Sequence, residues 1–548
     1  MKSLGAPALA AALLLSAPPT ASAQKFRGDD PLAVDRDDLP VAKPARVELS
    51  TTYDVLEHTF AHRPHGSIAP AVNVNTLGEV PDSSWFQNRI GSREVSLEEL
   101  VRGPDQGGGP DVSGSWTVIA AKSSGITPGF RIRDSRGGIY FVKFDPIDHP
   151  NLASAAEVIG TRLFHAMGYH VPENHVAYLR RSQLAIAPEA EVTRRGGKRA
   201  PMTAADLDSI LSRVPVRPDG TIRCVAGRLL PGEDVGPHKY HGTRGDDPND
   251  VFPHQDRREL RGLRVFAAWL NHDDSRSINS ADRFLAEGER GYVKHYLLDF
   301  SSTLGSGSDA LRRVAPQNPR AGNEYVLDWG PAAKAAVTLG LWERPWRKVR
   351  YVVFPEVGRI EADFFRPERW KPEYPNPAFE RMLPADAFWA ARIVSRFTDE
   401  MVRAAVHAGE FSDPAAERHL ADTLIKRRDK VVAHYFRAVN PLAEFRVVAG
   451  GGAPALEFAN LGEKAGLGAV DAYEYQWFAF ENRTGEVRPL HEARSTAARR
   501  VPVPSSGEEF LMVRLRTRGQ EPAWLKNVDV YLRGRTDPPA LVGIEREG

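Results

Sequence analysis

The stretch Ala-Trp-Leu-Asn-His-Asp-Asp-Ser-Arg-Ser-Ile-Asn (268–279), followed by Tyr-Leu-Leu-Asp-Phe-Ser-Ser (296–302), decides how this chain is read. Four residues separate Asp274 from Asn279, and Asp299 ends a short apolar run downstream. In a phosphoryl-transfer site one carboxylate orients the attacking hydroxyl, while hard oxygen ligands hold a divalent cation against the phosphates. One loop then serves the nucleophile and a metal ligand, and the next strand brings the second ligand. The pattern predicts Asp274 as the orienting carboxylate and Asn279 and Asp299 as ligands for Mg²⁺ or Mn²⁺ rather than zinc. Asp273 is an alternative base at one residue longer spacing.

Working upstream, Trp116–Ala121, Gly129–Arg133 and Ile139–Phe144 alternate as strands, with tight turns between them. Lys143 lies near the end of the third, where an ammonium can cross the phosphates of a nucleotide if a carboxylate fixes it. Glu157, on a helix expected over Ser154–Met167, is the candidate partner. Such a pair would position the lysine more than stabilise the fold, because a partly exposed pair contributes only about 0–1 kcal/mol. The turn Lys122-Ser123-Ser124-Gly125 offers backbone N–H groups and one cation to phosphates. Taken singly, each residue has an ordinary structural reading, such as a strand-edge lysine reaching for water. Their order along the chain carries the functional one.

Lys143, Glu157, the helix end Gly168-Tyr169-His170-Val171-Pro172-Glu173, Asp274 with Asn279, and Asp299 together resemble the atypical protein-kinase-like fold. HipA-type toxin kinases and secreted spore-coat kinases are the nearest resemblances, with phosphatidylinositol kinases more distant. The resemblance covers residues 115–440. It implies an α+β fold of two lobes, β-rich (about 115–230) and helical (about 231–440), with ATP and Mg or Mn between them. Asp274, Lys143 and Glu157 would be catalytic, Lys122 to Gly125 and Lys143 would bind nucleotide, and Asn279 and Asp299 would bind metal. There is no Gly-x-Gly-x-x-Gly loop, His272-Asp273 stands where an Arg usually precedes the catalytic Asp, and Ser301 stands where a Gly usually follows Asp-Phe. These departures point to the atypical branch. The acceptor would be a protein, glycan or small-molecule hydroxyl. A non-catalytic scaffold with an envelope-binding tail, and a nucleotidyl transferase on the same residues, are the alternatives.

Lys2, the apolar Ala8–Leu15 and Ala21-Ser22-Ala23 read as an export signal cleaved after Ala23, which implies a periplasmic or secreted protein. Residues 24–114 read as an exposed leader and extension, and 441–548 as a small β-sandwich-like domain. The single Cys224 excludes an internal disulfide framework. A net charge of +1 and the absence of aromatic-interleaved basic runs argue against nucleic-acid binding. No stretch approaches the ~18 apolar residues of a membrane span. His58, His62 and His65 read as surface histidines. His238 and His241, with Asp246, Asp247 and Asp250, read as a solvated acidic loop. Asn482-Arg483-Thr484 matches a glycosylation sequon.

Overall fold

A computed structural model of the chain describes residues 24–547, apart from 33–34, 36, 62–66, 123–126, 195–196, 289, 310–312 and 451. The export-signal expectation for residues 1–23, and the expectations for His62, His65, Ser123, Ser124 and Gly125, lie outside the described residues. The architecture is α+β. No helix among the described residues is long and apolar enough to cross a membrane.

Seven strands form one mixed sheet: β1 (Trp116–Ala121), β2 (Gly129–Arg133), β3 (Ile139–Lys143), β4 (Asn174–Leu179), β5 (Leu184–Thr193), β6 (Arg199–Pro201) and β7 (Ile222–Arg228). Their order is β4-β7-β3-β2-β1-β5-β6, antiparallel except for the parallel pairing of β1 with β5. Phe130, Ile132, Tyr140 and Val142 point from β2 and β3 into a core closed by helix α2 (Ala204–Leu211). Successive strand residues face opposite ways, so Lys143 falls on the other face with Ile139 and Phe141.

Helix α1 (Leu152–Met167) packs beside this sheet and is buried at every position but His165. A helix apolar almost all round belongs in an interior. Asp145 caps it by accepting from the N–H groups of Ala153 and Ser154 at 2.7 and 2.9 Å. Gly168 ends it at φ 125°, where any Cβ would strike the Phe86 ring. Beyond the sheet, α3 (Arg258–Leu270) and three helices, α4 (Pro384–Ser395), α5 (Asp399–His407) and α6 (Pro414–Ala438), share α1's apolar core. The sequence suggests one helix over 386–408. Thr398 breaks it by accepting from Met401 N, an N-cap that starts α5.

Here a strand missing from the sequence reading pairs with the one expected to deliver Asp299. β8 (Ser280–Glu287) pairs antiparallel with β9 (Arg290–Leu297), and Glu233–Asp234 adds an edge to β8. The last hundred residues form a three-stranded and a six-stranded sheet whose inner residues, Leu456 and Phe458 from one and Trp477 and Val513 from the other, join one apolar cluster.

The leader is exposed at most of its described positions, as expected, and is anchored at a few buried ones. Phe26 is only 3% exposed, inserted among Phe480, Phe510 and Tyr531 of the C-terminal sheet. The Asn482 amide exchanges two hydrogen bonds of 2.7 Å with the Phe26 backbone, so the sequon residue is a structural clamp. Farther on, Asp35 pairs in the interior with Arg257, whose guanidinium lies over Trp85. Truncating such a side chain costs about 3–5 kcal/mol. Phe26→Ala should therefore lower the urea midpoint followed by the fluorescence of Trp477 and Trp524; an unchanged midpoint would show the leader to be dispensable.

Candidate functional site

Lys143 Nζ lies 2.9 Å from Glu157 Oε2 and 2.8 Å from Asp299 Oδ1. Three elements distant in sequence, the end of β3, the second turn of α1 and the loop after β9, thus meet at one ammonium. Glu157 is 3% exposed and fully engaged: Oε2 also accepts from Ser301 N at 3.0 Å, and Oε1 from Asn174 Nδ2 at 3.2 Å. Asn174 is itself held to Thr161 at 2.8 Å. Burial alone would push the lysine down; Asp299 and Glu157 outweigh it and hold it above the usual range. Burial would raise the Asp299 carboxyl, but Lys143 and the Ser301 hydroxyl, which donates to Oδ1 at 2.6 Å, hold it well below.

Asp299 occupies a left-handed conformation, φ 60°, two residues past the end of β9. The strand therefore stops two residues short of Asp299, which the sequence places at its end, and the carboxylate is aimed by the turn. Phe300 fixes that turn by stacking on Phe164 of α1 at 4.8 Å. Gly160 makes the approach possible, since a Cβ there would lie 2.7 Å from Phe300 Cβ.

The Asp274 loop follows α3, which Asn271 ends in the left-handed region. Asn279 Nδ2 donates to the Asp274 carbonyl at 2.9 Å, and Leu298 N donates to the Asn279 carbonyl at 2.9 Å. The second bond ties the loop directly to the residue before Asp299. Asn279 keeps its Oδ1 and Asp299 its Oδ2 for a cation, and both are hard oxygen donors that fit Mg²⁺ or Mn²⁺. Asp274 is pushed up to about 6 by burial, partly opposed by the Arg276 guanidinium lying against it. Arg276 also reaches Glu373 at 3.2 Å. Asp273 accepts from Gln317 Nε2 at 2.6 Å, and desolvation, then the charge of Asp274, drives its carboxyl well above the usual range.

Lys122 directly follows β1. Burial, then the charge of Lys143, pull it down to about 8, and its ammonium donates to Thr127. The structure thus gathers Lys143, Glu157 and Asp299 into direct contact and joins Asp274 to Asn279. Sequence reasoning missed Asn174, Arg276, Gln317 and Glu373, and noted Ser301 only as a departure from the usual Gly. Of the four missed residues only Arg276, inside the quoted loop, carried a visible signal.

The histidine expectations are corrected. His58 is 2% exposed and lies 3.3 Å from His241, ring nitrogen to ring nitrogen. His238 is buried, and shares Asp282 with His295 at 3.1 and 2.7 Å. Asp250 is buried too and accepts from His254 at 2.6 Å, so this loop is an internal polar network rather than a solvated one.

No family model matches the chain, and no curated protein matches it. Among solved structures it is similar to the proinflammatory kinase CtkA of Helicobacter pylori, at 12% identity and a TM-score of 0.30, over 59% of this chain and 98% of that one.

In an open helix Gly→Ala stabilises by about 0.5–1 kcal/mol. At Gly160 the sign should reverse: overpacking against Phe300 costs about 1–3 kcal/mol. Thermal unfolding of Gly160→Ala checks this, and a raised midpoint would mean that Phe300 is not seated on α1.

Proposed function

We propose that this protein is an atypical, protein-kinase-like phosphotransferase moving a phosphoryl group from Mg- or Mn-ATP to a hydroxyl acceptor. The observation that carries the reading is the Lys143 ammonium between two carboxylates. One partner suffices for a structural ion pair. Here Asp299, whose side chain remains 42% exposed, keeps its second carboxylate oxygen at an accessible edge. A divalent cation is the natural counter-charge there.

Lys143, positioned by Glu157, meets the nucleotide phosphates, and Lys122 adds a second cation beside them. Asn279 and Asp299 would hold the cation, which neutralises phosphate charge when bound. Asp274 aligns the acceptor hydroxyl and takes its hydrogen bond. Ionised at neutral pH and aimed by Arg276, it suits that role better than Asp273, which the Gln317 amide holds. Residues 115–230 and 231–440 are assigned as the two lobes and 441–548 as an added β domain. Residues 1–23 would direct the protein to the periplasm or beyond.

Purified protein given Mn-ATP and hydroxyl acceptors should release ADP. Asp274→Asn should slow release by about 10²–10⁴-fold while nucleotide affinity persists, and Asp299→Ala should abolish it. Wild-type protein that binds Mn-ATP yet transfers nothing would favour a scaffold. Label moving from the α-phosphate instead of the γ-phosphate would overturn phosphoryl transfer in favour of nucleotidyl transfer.

A further inference from the structure

Beside Asp274 opens a cavity of about 420 Å³ whose wall includes Ser302, Gln317, Arg320, Arg359 and Glu373. It begins where the Asp299 turn ends, at Ser302. Its ion pairs do not use every cation. Arg276 serves both Asp274 and Glu373. Asp309 is paired with Arg313 at 2.8 Å. Asp273 accepts from the Gln317 amide at 2.6 Å. Arg320 and Arg359 remain, and among the described residues neither has a carboxylate within ion-pair distance. Arg320 Nη1 is moreover buried with no hydrogen-bond acceptor.

Both arginines are anchored by their backbones rather than left to wander. Arg320 N donates to Asn318 Oδ1 at 3.0 Å, and its carbonyl accepts from Asn323 and Glu324. Arg359 N donates to the Gly305 carbonyl at 2.8 Å, where Gly305 and Gly358 meet so closely that a Cβ on either would strike the other strand's backbone. The Arg359 guanidinium lies 5.2 Å from the Tyr351 ring centre. A buried guanidinium nitrogen without an acceptor, such as Arg320 Nη1, is costly unless a ligand supplies one. Planar, bidentate oxyanions are what guanidinium groups match best.

We propose that this cavity is the acceptor site and that the acceptor is a small hydroxylated oxyanion, its phosphate or carboxylate held by Arg320 and Arg359 while Asp274 takes its hydroxyl. The volume fits a small molecule, since ligand sites commonly span about 300–1,000 Å³. The assignment rests on the phosphotransfer reading of Asp274. In balanced form, the acceptor oxygen bonds to the γ-phosphorus of ATP, the bond from that phosphorus to the β-γ bridging oxygen breaks, ADP leaves, and the hydroxyl proton passes to Asp274.

The test titrates glycerol 3-phosphate, glycerate and glycerol into full-length protein loaded with Mn²⁺ and a non-hydrolysable ATP analogue, with analogue binding measured alongside. One or both anions should bind and glycerol should not; the anion that binds tells phosphate from carboxylate. Arg320→Gln and Arg359→Gln should each weaken anion binding by about tenfold or more and leave analogue affinity unchanged. Equal binding of all three probes, or of none, overturns the proposal. So does a parallel loss of analogue affinity in the arginine variants, because the arginines would then serve the nucleotide. Failure of the analogue to bind wild-type protein is a different result, and would sink the phosphotransfer reading itself.

Discussion

One lysine ammonium between two carboxylates organises this molecule. Lys143 is separated from Glu157 by 14 residues and from Asp299 by 156, yet it touches both. Each of the three charges is tolerable at its depth only because the others are present. Everything that brings them together therefore has a stake in the site: the alternation of β3, the apolar girth of α1, and the Phe300 contact that Gly160 permits. Ser301 sharpens the arrangement. Its N–H bonds Glu157 and its hydroxyl bonds Asp299, so the residue that departs from the usual Gly joins the two carboxylates.

Much of this geometry was legible in the sequence, because the decisive signals were local. Strands β1 to β3, α1 and α3 follow from apolar spacing, and Asp274, Asn279 and Asp299 follow from loop spacing. What escaped was stabilised from far away. β8 reads Ser-Ala-Asp-Arg-Phe-Leu-Ala-Glu and looks too polar to bury, yet Asp282 is satisfied by His238, His295 and Arg244, and Arg283 by the carbonyls of Leu230, Pro231 and Gly232. The leader's anchors escaped for the same reason. A lone Phe26 in polar sequence has no periodicity, and its partners lie more than four hundred residues away.

The same distinction applies to the site's surroundings. Asp273 and Asp274 are neighbours with one chemistry in sequence. In the fold Gln317 claims the first and Arg276 the second, so that only the second is paired with a cation. Glu373, Arg320 and Arg359 come from segments without a pattern of their own, and they acquire meaning only as the wall of one cavity beside Asp274. The chemistry of the loop can be read from the chain, whereas the selection of what reaches it is written in three dimensions.

The central claim is that the Lys143 triad is the wall of a metal–nucleotide cleft. Calorimetric titration of ATP into the purified protein, with and without Mn²⁺, tests it most directly. The account predicts one ATP per chain, bound much more tightly with Mn²⁺ than without it. ATP that fails to bind, or binds equally well in the absence of the cation, would contradict it.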